Sequence, residues 1–296
     1  MNKTLRNPKV YILFLIPTLL LYSVFYLYPV FNTITYGFTL WDGVNSPIFI
    51  GLDNYIKAFT RDDVFWTAFT NNIIFVLFSV FIQIPVIILI SVLISEVRKF
   101  FGFYKTVVFL PSILSTAVVG VLFSFAVFHP DLGMINQFLN AVGLESLTRV
   151  WLGDESTAFL SILITNAWQW TGFYVVLVLA AILGIPKEIY EAADIDGATI
   201  FQKLRLITIP LIRSVLMVII LLSITGAMKA LDIVLVMTNG GPFNSTELMA
   251  THMYTLAYKN VEYGYANATA NIIFIFTIGI TLIYNFIAKR IGDVES

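Results

Sequence analysis

Two groups of residues carry side chains able to do chemistry, and neither is equipped to break a bond. The first lies in an apolar run where Asn166, Gln169, Trp170 and Tyr174 stand close together. Asn166, Trp170 and Tyr174 recur at i, i+4 and i+8, so on a helix they share one face, whereas Trp168 points elsewhere. Amides beside indole and phenol rings supply hydrogen bonds and stacking surfaces. The second group begins Ile-Pro-Lys-Glu-Ile-Tyr-Glu-Ala-Ala at Ile185. Pro186 suits a first helical turn, Glu188 and Glu191 suit the positive end of that helix, and Gly197 permits a break. In a second helix Phe201, Leu204 and Ile207 form an apolar stripe, with Gln202, Lys203 and Arg205 off it, until Pro210. Glu191 beside two alanines offers a carboxylate that a basic partner can approach closely.

No catalytic constellation accompanies these groups. There is no GxxxxGK[ST] phosphate loop, no GxSxG elbow and no cysteine, so a thiolate nucleophile, an iron–sulfur cluster and a disulfide are excluded. His129 and His252 lie far apart and belong to no zinc-ligand pattern. No catalytic or metal-ligating residue is assigned, no cofactor is expected in this chain, and the chain is not expected to be an enzyme.

The elements that must carry these residues follow from composition. Of 296 residues 58% are hydrophobic and only 12% charged, and the mean hydropathy is +0.88. Too little polar surface remains to face water, so lipid is the main solvent and a cytosolic enzyme is excluded. The net charge of −1 excludes the basic balance of a nucleic-acid binder. A charge at the centre of a bilayer helix costs about 2.5 to 3.5 kcal/mol, so charge-free windows locate the spans. They predict an all-α membrane protein with six transmembrane helices at 10–31, 70–94, 106–128, 158–183, 211–232 and 267–288. The connection 185–210 is patterned as helices, and one membrane domain, 1–296, is the simplest partition.

Lys and Arg are unevenly shared between the loops. Twelve of the seventeen fall in the N-terminal segment, the second and fourth loops and the C-terminal segment, which places both termini in the cytoplasm. The first apolar stretch is too long for a signal core and lacks an Ala-x-Ala-like site, so it is expected to remain as an anchor. Trp41, Trp66, Tyr26, Tyr28 and Tyr284 suit an aromatic belt.

Glu191-Ala192-Ala193, followed by Asp196-Gly197-Ala198, Ile207 and Pro210, resembles the EAA loop of ABC importer permeases. The run EAADIDGATIFQKLRLITIP is similar to the carbohydrate-uptake branch, with Leu204 in place of the common Phe and Ile209 in place of the common Leu. FLIPTLLLYSVFYLYPVFNTITYGFT resembles that family's first span, and FYKTVVFLPSILSTAVVG its third. MTNGGPFNST resembles an outer loop of the upstream-type sugar permease of the maltose and glycerol-phosphate importer kind. The resemblance implies the type I importer permease fold and a coupling helix docked on a cytoplasmic ATPase subunit. It implies as partners a second homologous permease, two ATP-binding subunits that hold ATP and Mg, and an external solute-binding protein. The setting it implies is a bacterial cytoplasmic membrane.

Alternatives stay open at each place. The 185–210 element also suits an amphipathic helix lying on the membrane surface. Gly240, Gly241 and Pro242 suit an outer turn facing a binding protein and equally an ordinary surface turn. Carbohydrates are held by hydrogen bonds and ring stacking, which makes Asn166, Gln169, Trp170 and Tyr174 pathway candidates; Asn166 and Gln169 also suit cross-links between helices. Lys229, Asp232 and Asn271 are further pathway candidates, although Lys229 and Asp232 suit a mutual ion pair as well. The scarcity of ionisable groups in the spans speaks against the other transport class, an ion-coupled secondary carrier working alone.

Overall fold

The structure, a computed structural model, describes residues 8–97 and 99–292. Lys3, Arg6 and Arg98, three charges behind the expected orientation, lie outside these residues, as do the side chains of Lys9, Lys289 and Arg290. Among the described residues four helices are long and apolar enough to cross a membrane: Ile12–Tyr36, Asp63–Ser95, Glu155–Leu183 and Tyr263–Phe286. Two bent pairs, Phe101–Ile113 with Thr116–Val127 and Ile200–Leu211 with Arg213–Met228, bring the number to six if each is one span.

The long helices carry prolines without stopping. Pro29, Pro85 and Pro210 each lack the N–H that would close the preceding turn. Directly before each, the helix widens to a π-turn, at Ser23–Leu27, Ser79–Gln83 and Leu204–Thr208. The N–H groups of Tyr28, Ile84 and Ile209 reach back five residues to the carbonyls of Ser23, Ser79 and Leu204. The wider turn uses the last donor before the proline, so the backbone stays satisfied where lipid offers no substitute.

The chain forms two compact units. The first comprises residues 1–62 and 253–276. It holds α1 (Pro8–Tyr22), α2 (Tyr28–Tyr36), a short antiparallel pair of β1 (Thr39–Leu40) and β2 (Ile48–Phe49), and α3 (Asp53–Thr60). Buried Asn54 ties α3 to the hairpin by donating to the carbonyls of Gly37, 3.0 Å, and Thr39, 2.9 Å. Lys57 pairs with Glu262 at 2.6 Å and sits 4.1 Å over the Tyr265 ring, while the Tyr265 hydroxyl donates to Asp62 at 2.6 Å. Side chains along the first span stay exposed, among them Phe14, Phe25 and Phe31, as befits a helix whose surroundings are lipid or another chain.

The second unit comprises residues 63–252 and 277–296. Helices α4 (Asp63–Phe78) and α5 (Ile84–Ser95) make one continuous rod through their π-turn. Then come α6 (Phe101–Phe109), α7 (Thr116–Leu122), α8 (Met134–Ala141) and the long α9 (Glu155–Leu183). Next are α10 (Lys187–Ile195), α11 (Ile200–Lys203), α12 (Ile209–Leu211), α13 (Arg213–Met228) and α14 (Asp232–Met237). Helices α15 (Met249–Tyr258) and α16 (Tyr263–Gly292) complete the order, residues 253–276 of them and their connection being counted with the first unit. One packed layer joins Ile84, Ile87 and Ile94 of α5 to Val175, Val178 and Leu179 of α9 and Leu216 and Ile219 of α13. A second gathers Phe75, Val119, Phe123, Ile162, Ile233, Val234 and Leu248. Because lipid is as apolar as these side chains, packing and buried hydrogen bonds hold the helices together. Ser91 illustrates the second kind: its hydroxyl lies 2.7 Å from the Ile87 carbonyl and 3.2 Å from that of Val175.

Two expected spans differ from straight rods. The stretch 106–128 turns by 97° at Leu114–Ser115, where both residues are extended after the tight turn Leu110–Ile113 around Pro111. The stretch 211–232 is broken: its long helix is Arg213–Met228, Leu211 ends α12, and the chain leaves the helix at Lys229 before α14 begins at Asp232. The second departure brings backbone to the edge of a cavity, the setting in which irregular backbone is tolerated at membrane depth, and the first ends beside it at Thr116.

Candidate functional site

The break after Met228 opens one side of a cavity of about 230 Å³ within the second unit. Asn166, Trp170 and Tyr174 line it from α9, Lys229 and Asp232 from the broken stretch. The helical spacing of the three α9 residues therefore acts as read, and their common face points into one hollow. Trp168 packs against Phe123, with ring centroids 4.9 Å apart.

Lys229 and Asp232 form no ion pair with each other, so their mutual neutralisation is corrected. The reason is the broken helix: the i, i+3 spacing assumed a continuous turn that ends at Met228. Gln169 is also corrected. It is 1% exposed and turned away from the cavity, its amide donating to the Leu114 carbonyl at 3.0 Å and sharing a 3.2 Å contact with Thr116 Oγ1. It pins the bend of the third span, where the freed carbonyl of Leu114 needs a donor. Asn271 belongs to the first unit and donates to the carbonyls of Thr33 and Ile34 and to the Tyr55 hydroxyl at 2.9 Å, so it cross-links helices and does not line this cavity.

Sequence reasoning missed Ser79, Gln83, Thr116 and Ser223, which add hydroxyls and an amide to the same lining. A signal existed: Ser79 and Gln83 are i, i+4 polar positions inside a charge-free window, where polar side chains face protein or water. A larger cavity, about 980 Å³, lies in the first unit beside Trp41, Asp42, Arg61 and Glu262. Its rings are already engaged, Trp41 against Tyr36 at 4.2 Å and Tyr263 at 5.8 Å, and Tyr265 under Lys57. The rings of the smaller cavity also meet a neighbour, Trp170 and Tyr174 each touching Phe173 at 6.4 and 5.4 Å.

The connection before the fifth span is a second site. Helix α10 ends in a Schellman motif: Ala198 N–H bonds the Ala193 carbonyl at 2.9 Å and Gly197 N–H bonds that of Asp194 at 3.1 Å. Gly197 has φ +75°, which an L side chain adopts only with strain. Thr199 and Gln202 then form a reciprocal capping box that starts α11. Two side-chain struts fix the corner, Lys203 to Asp194 at 2.7 Å and Tyr190 to buried Thr208 at 2.9 Å. Ala193 is buried, whereas Glu191, Ala192, Asp196, Gly197 and Pro210 are exposed and Ala198 and Ile207 half-buried. The expected stripe is altered, because the π-turn at Leu204–Thr208 breaks the helical period; Phe201 points outward and joins Ile195, Ile200 and Leu206 as an exposed apolar surface.

Gly240, Gly241 and Pro242, expected in an outer loop, form a tight corner. Gly240 has φ +87°, and a Cβ there would collide with the Glu247 carboxylate. Thr246 donates to the Gly241 carbonyl at 2.8 Å and meets Thr238 Oγ1 at 2.7 Å, and Thr251 donates to buried Glu247. Phe243 stands at the tip, exposed.

A mostly helical polytopic fold with a mixed polar and aromatic cavity and an exposed helical corner defines a membrane transport subunit. Residues 58–293 match the family of binding-protein-dependent transport system inner membrane components, and the chain belongs to that family. The "Probable ABC transporter permease protein YurN" of Bacillus subtilis (strain 168) is 35% identical over 280 residues, covering 94% of this chain and 95% of that protein. The lactose transport system permease protein LacF of Rhizobium radiobacter is 31% identical over 283 residues, covering 94% and 93%. The crystal structure of a bacterial ABC transporter that imports the polysaccharide alginate holds a chain of the same fold, with a TM-score of 0.83 at 24% identity and 97% of both chains covered. The fold is thus that of an ABC importer permease, and the chain is a multi-pass membrane component of a transporter, not an enzyme.

Proposed function

We propose that this permease forms half of the passage of an ATP-driven importer for a sugar or oligosaccharide, in a bacterial cytoplasmic membrane with both termini in the cytoplasm. The observation that carries the reading is the gathering of Asn166, Trp170, Tyr174, Lys229 and Asp232 around one cavity. Hydroxyl groups are bound by amides and charged groups, and sugar faces stack on aromatic rings. The lactose relative supports the same solute class.

The work enters from separate subunits that hold ATP and Mg. The exposed surface of Ile195, Ile200 and Phe201 beside the Glu191 carboxylate suits a cleft on an ATP-binding subunit, with Glu191 offered to a basic or hydrogen-bonding group. Closure of two such subunits would displace the α10–α11 corner, and the struts would carry that displacement into α13. A second homologous permease completes the passage, and a solute-binding protein delivers the sugar to the outer loop around Gly240, Gly241 and Pro242. Gln169 and Asn271 serve here as cross-links between helices.

The test is a reconstituted complex of this chain, its second permease, ATPase subunits and binding protein. Sugar-loaded binding protein is expected to stimulate hydrolysis and uptake, and Trp170→Ala to reduce uptake about tenfold through lost stacking. Uptake by this chain alone under an ion gradient would contradict the reading and support a secondary carrier.

A further inference from the structure

Two adjacent asparagines in α4 hold both ends of the segment that carries Lys229 and Asp232. The Asn72 amide donates to the Ala227 carbonyl at 3.0 Å and its oxygen accepts the Met249 N–H at 2.8 Å. Asn71 donates to the carbonyls of Ser245 and Glu247, both at 2.9 Å. Asn72 is wholly buried and Asn71 is 7% exposed. The intervening residues 228–248 include the cavity edge, α14 and the corner bearing Phe243. Along α4 and into the π-turn that follows it, Asn72, Phe75 and Ser79 recur at i, i+3 and i+7, and the last two line the cavity. Helix α14 packs into the same apolar layer as Phe75 through Ile233, Val234 and Met237.

We infer that Asn72, seconded by Asn71, is a positioning residue: it fixes where the chain leaves α13 and thereby where Lys229 and Asp232 stand at the cavity. This rests on the importer reading. The bracket 228–248 then moves as one body, so a push on its outer corner is felt at the cavity edge. A single side chain bonds one backbone acceptor and one backbone donor at two helix ends; an apolar residue in its place leaves the buried Met249 N–H without that partner, and leaves the Ala227 carbonyl with only the bonds of its own helix end, the Ala230 N–H at 3.5 Å among them.

The experiment is a double-mutant cycle in the full reconstituted complex, using Asn72→Leu and Asp232→Asn. Asn72→Leu is expected to keep complex assembly and basal ATP hydrolysis and to lower solute-stimulated hydrolysis about tenfold, the size of one unpaired buried group. The double variant is expected to be no slower than the worse single, because both changes act through the same cavity edge. If Asn72→Leu does not assemble, Asn71→Leu tests the other end of the bracket in the same cycle. Wild-type stimulation in the asparagine variant, full activity of Asp232→Asn, or losses that multiply would overturn the inference. Absence of stimulation in the wild-type complex contradicts the importer reading instead.

Discussion

The connections on either side of α13 are built on opposite principles. The one before it, 185–210, exposes apolar side chains and a carboxylate, and two side-chain struts hold its corner. The one after it, 229–248, hides Thr246 and Glu247 completely or nearly so and is tied by Asn71 and Asn72 to another helix. An exposed apolar corner is a surface waiting for another protein, whereas a buried polar network fixes one geometry. On the proposed reading, the difference means that force enters at the first connection and position is stored at the second.

That contrast is broken most directly at Glu191. Glu191→Lys is expected to lower uptake by about thirtyfold or more while hydrolysis by the assembled subunits persists, since reversing a charge at a docked contact costs several kcal/mol. Uptake and hydrolysis measured in the same proteoliposomes check this. At the second connection Gly240→Ala meets both a left-handed backbone and the Glu247 carboxylate, and is expected to cost about 1 to 3 kcal/mol, read as a lowered melting temperature. Gly197→Ala meets only the backbone term, with nothing within 4 Å of the new methyl. It is expected to cost about 1 kcal/mol and to be better tolerated as Gly197→Asn.

The smallest effect falls outside both connections. Asp154 caps α9, and the Ser156 hydroxyl followed by the Ser156 backbone N–H holds its carboxyl below the usual range. A depressed value stabilises the fold above the ordinary carboxylate range, and that contribution is lost as pH falls through the lowered value. Melting curves of the wild type and Asp154→Asn are expected to differ near neutral pH and to converge in acid.

Helical periodicity is legible wherever partners lie on one element. Asn166, Trp170 and Tyr174 share a face because of their spacing alone, and their cavity confirms the geometry. The EAA pattern likewise carries its own punctuation, since Gly197 and the Thr199–Gln202 box are local signals. Gln169 and Asn271 were not separable from pathway residues, because an amide in a span reads the same whether it meets a solute or a carbonyl on another helix. Asn71 and Asn72 stayed hidden for the same reason: their partners lie more than 150 residues away. The bend at Leu114–Ser115 and the helix end at Met228 are set by tertiary hydrogen bonds, from Gln169 and Asn72, that no window of hydropathy contains.

The central claim is that the exposed corner before α13 is gripped by an ATP-binding subunit. The chain has no cysteine, so Ile195→Cys provides a single thiol on that surface for a short bifunctional crosslinker. In the assembled, transporting complex the account expects one adduct with the ATPase subunit whose yield changes when ATP is added. A complex that transports normally yet gives no such adduct, from Ile195→Cys or from Phe201→Cys beside it, would contradict the account.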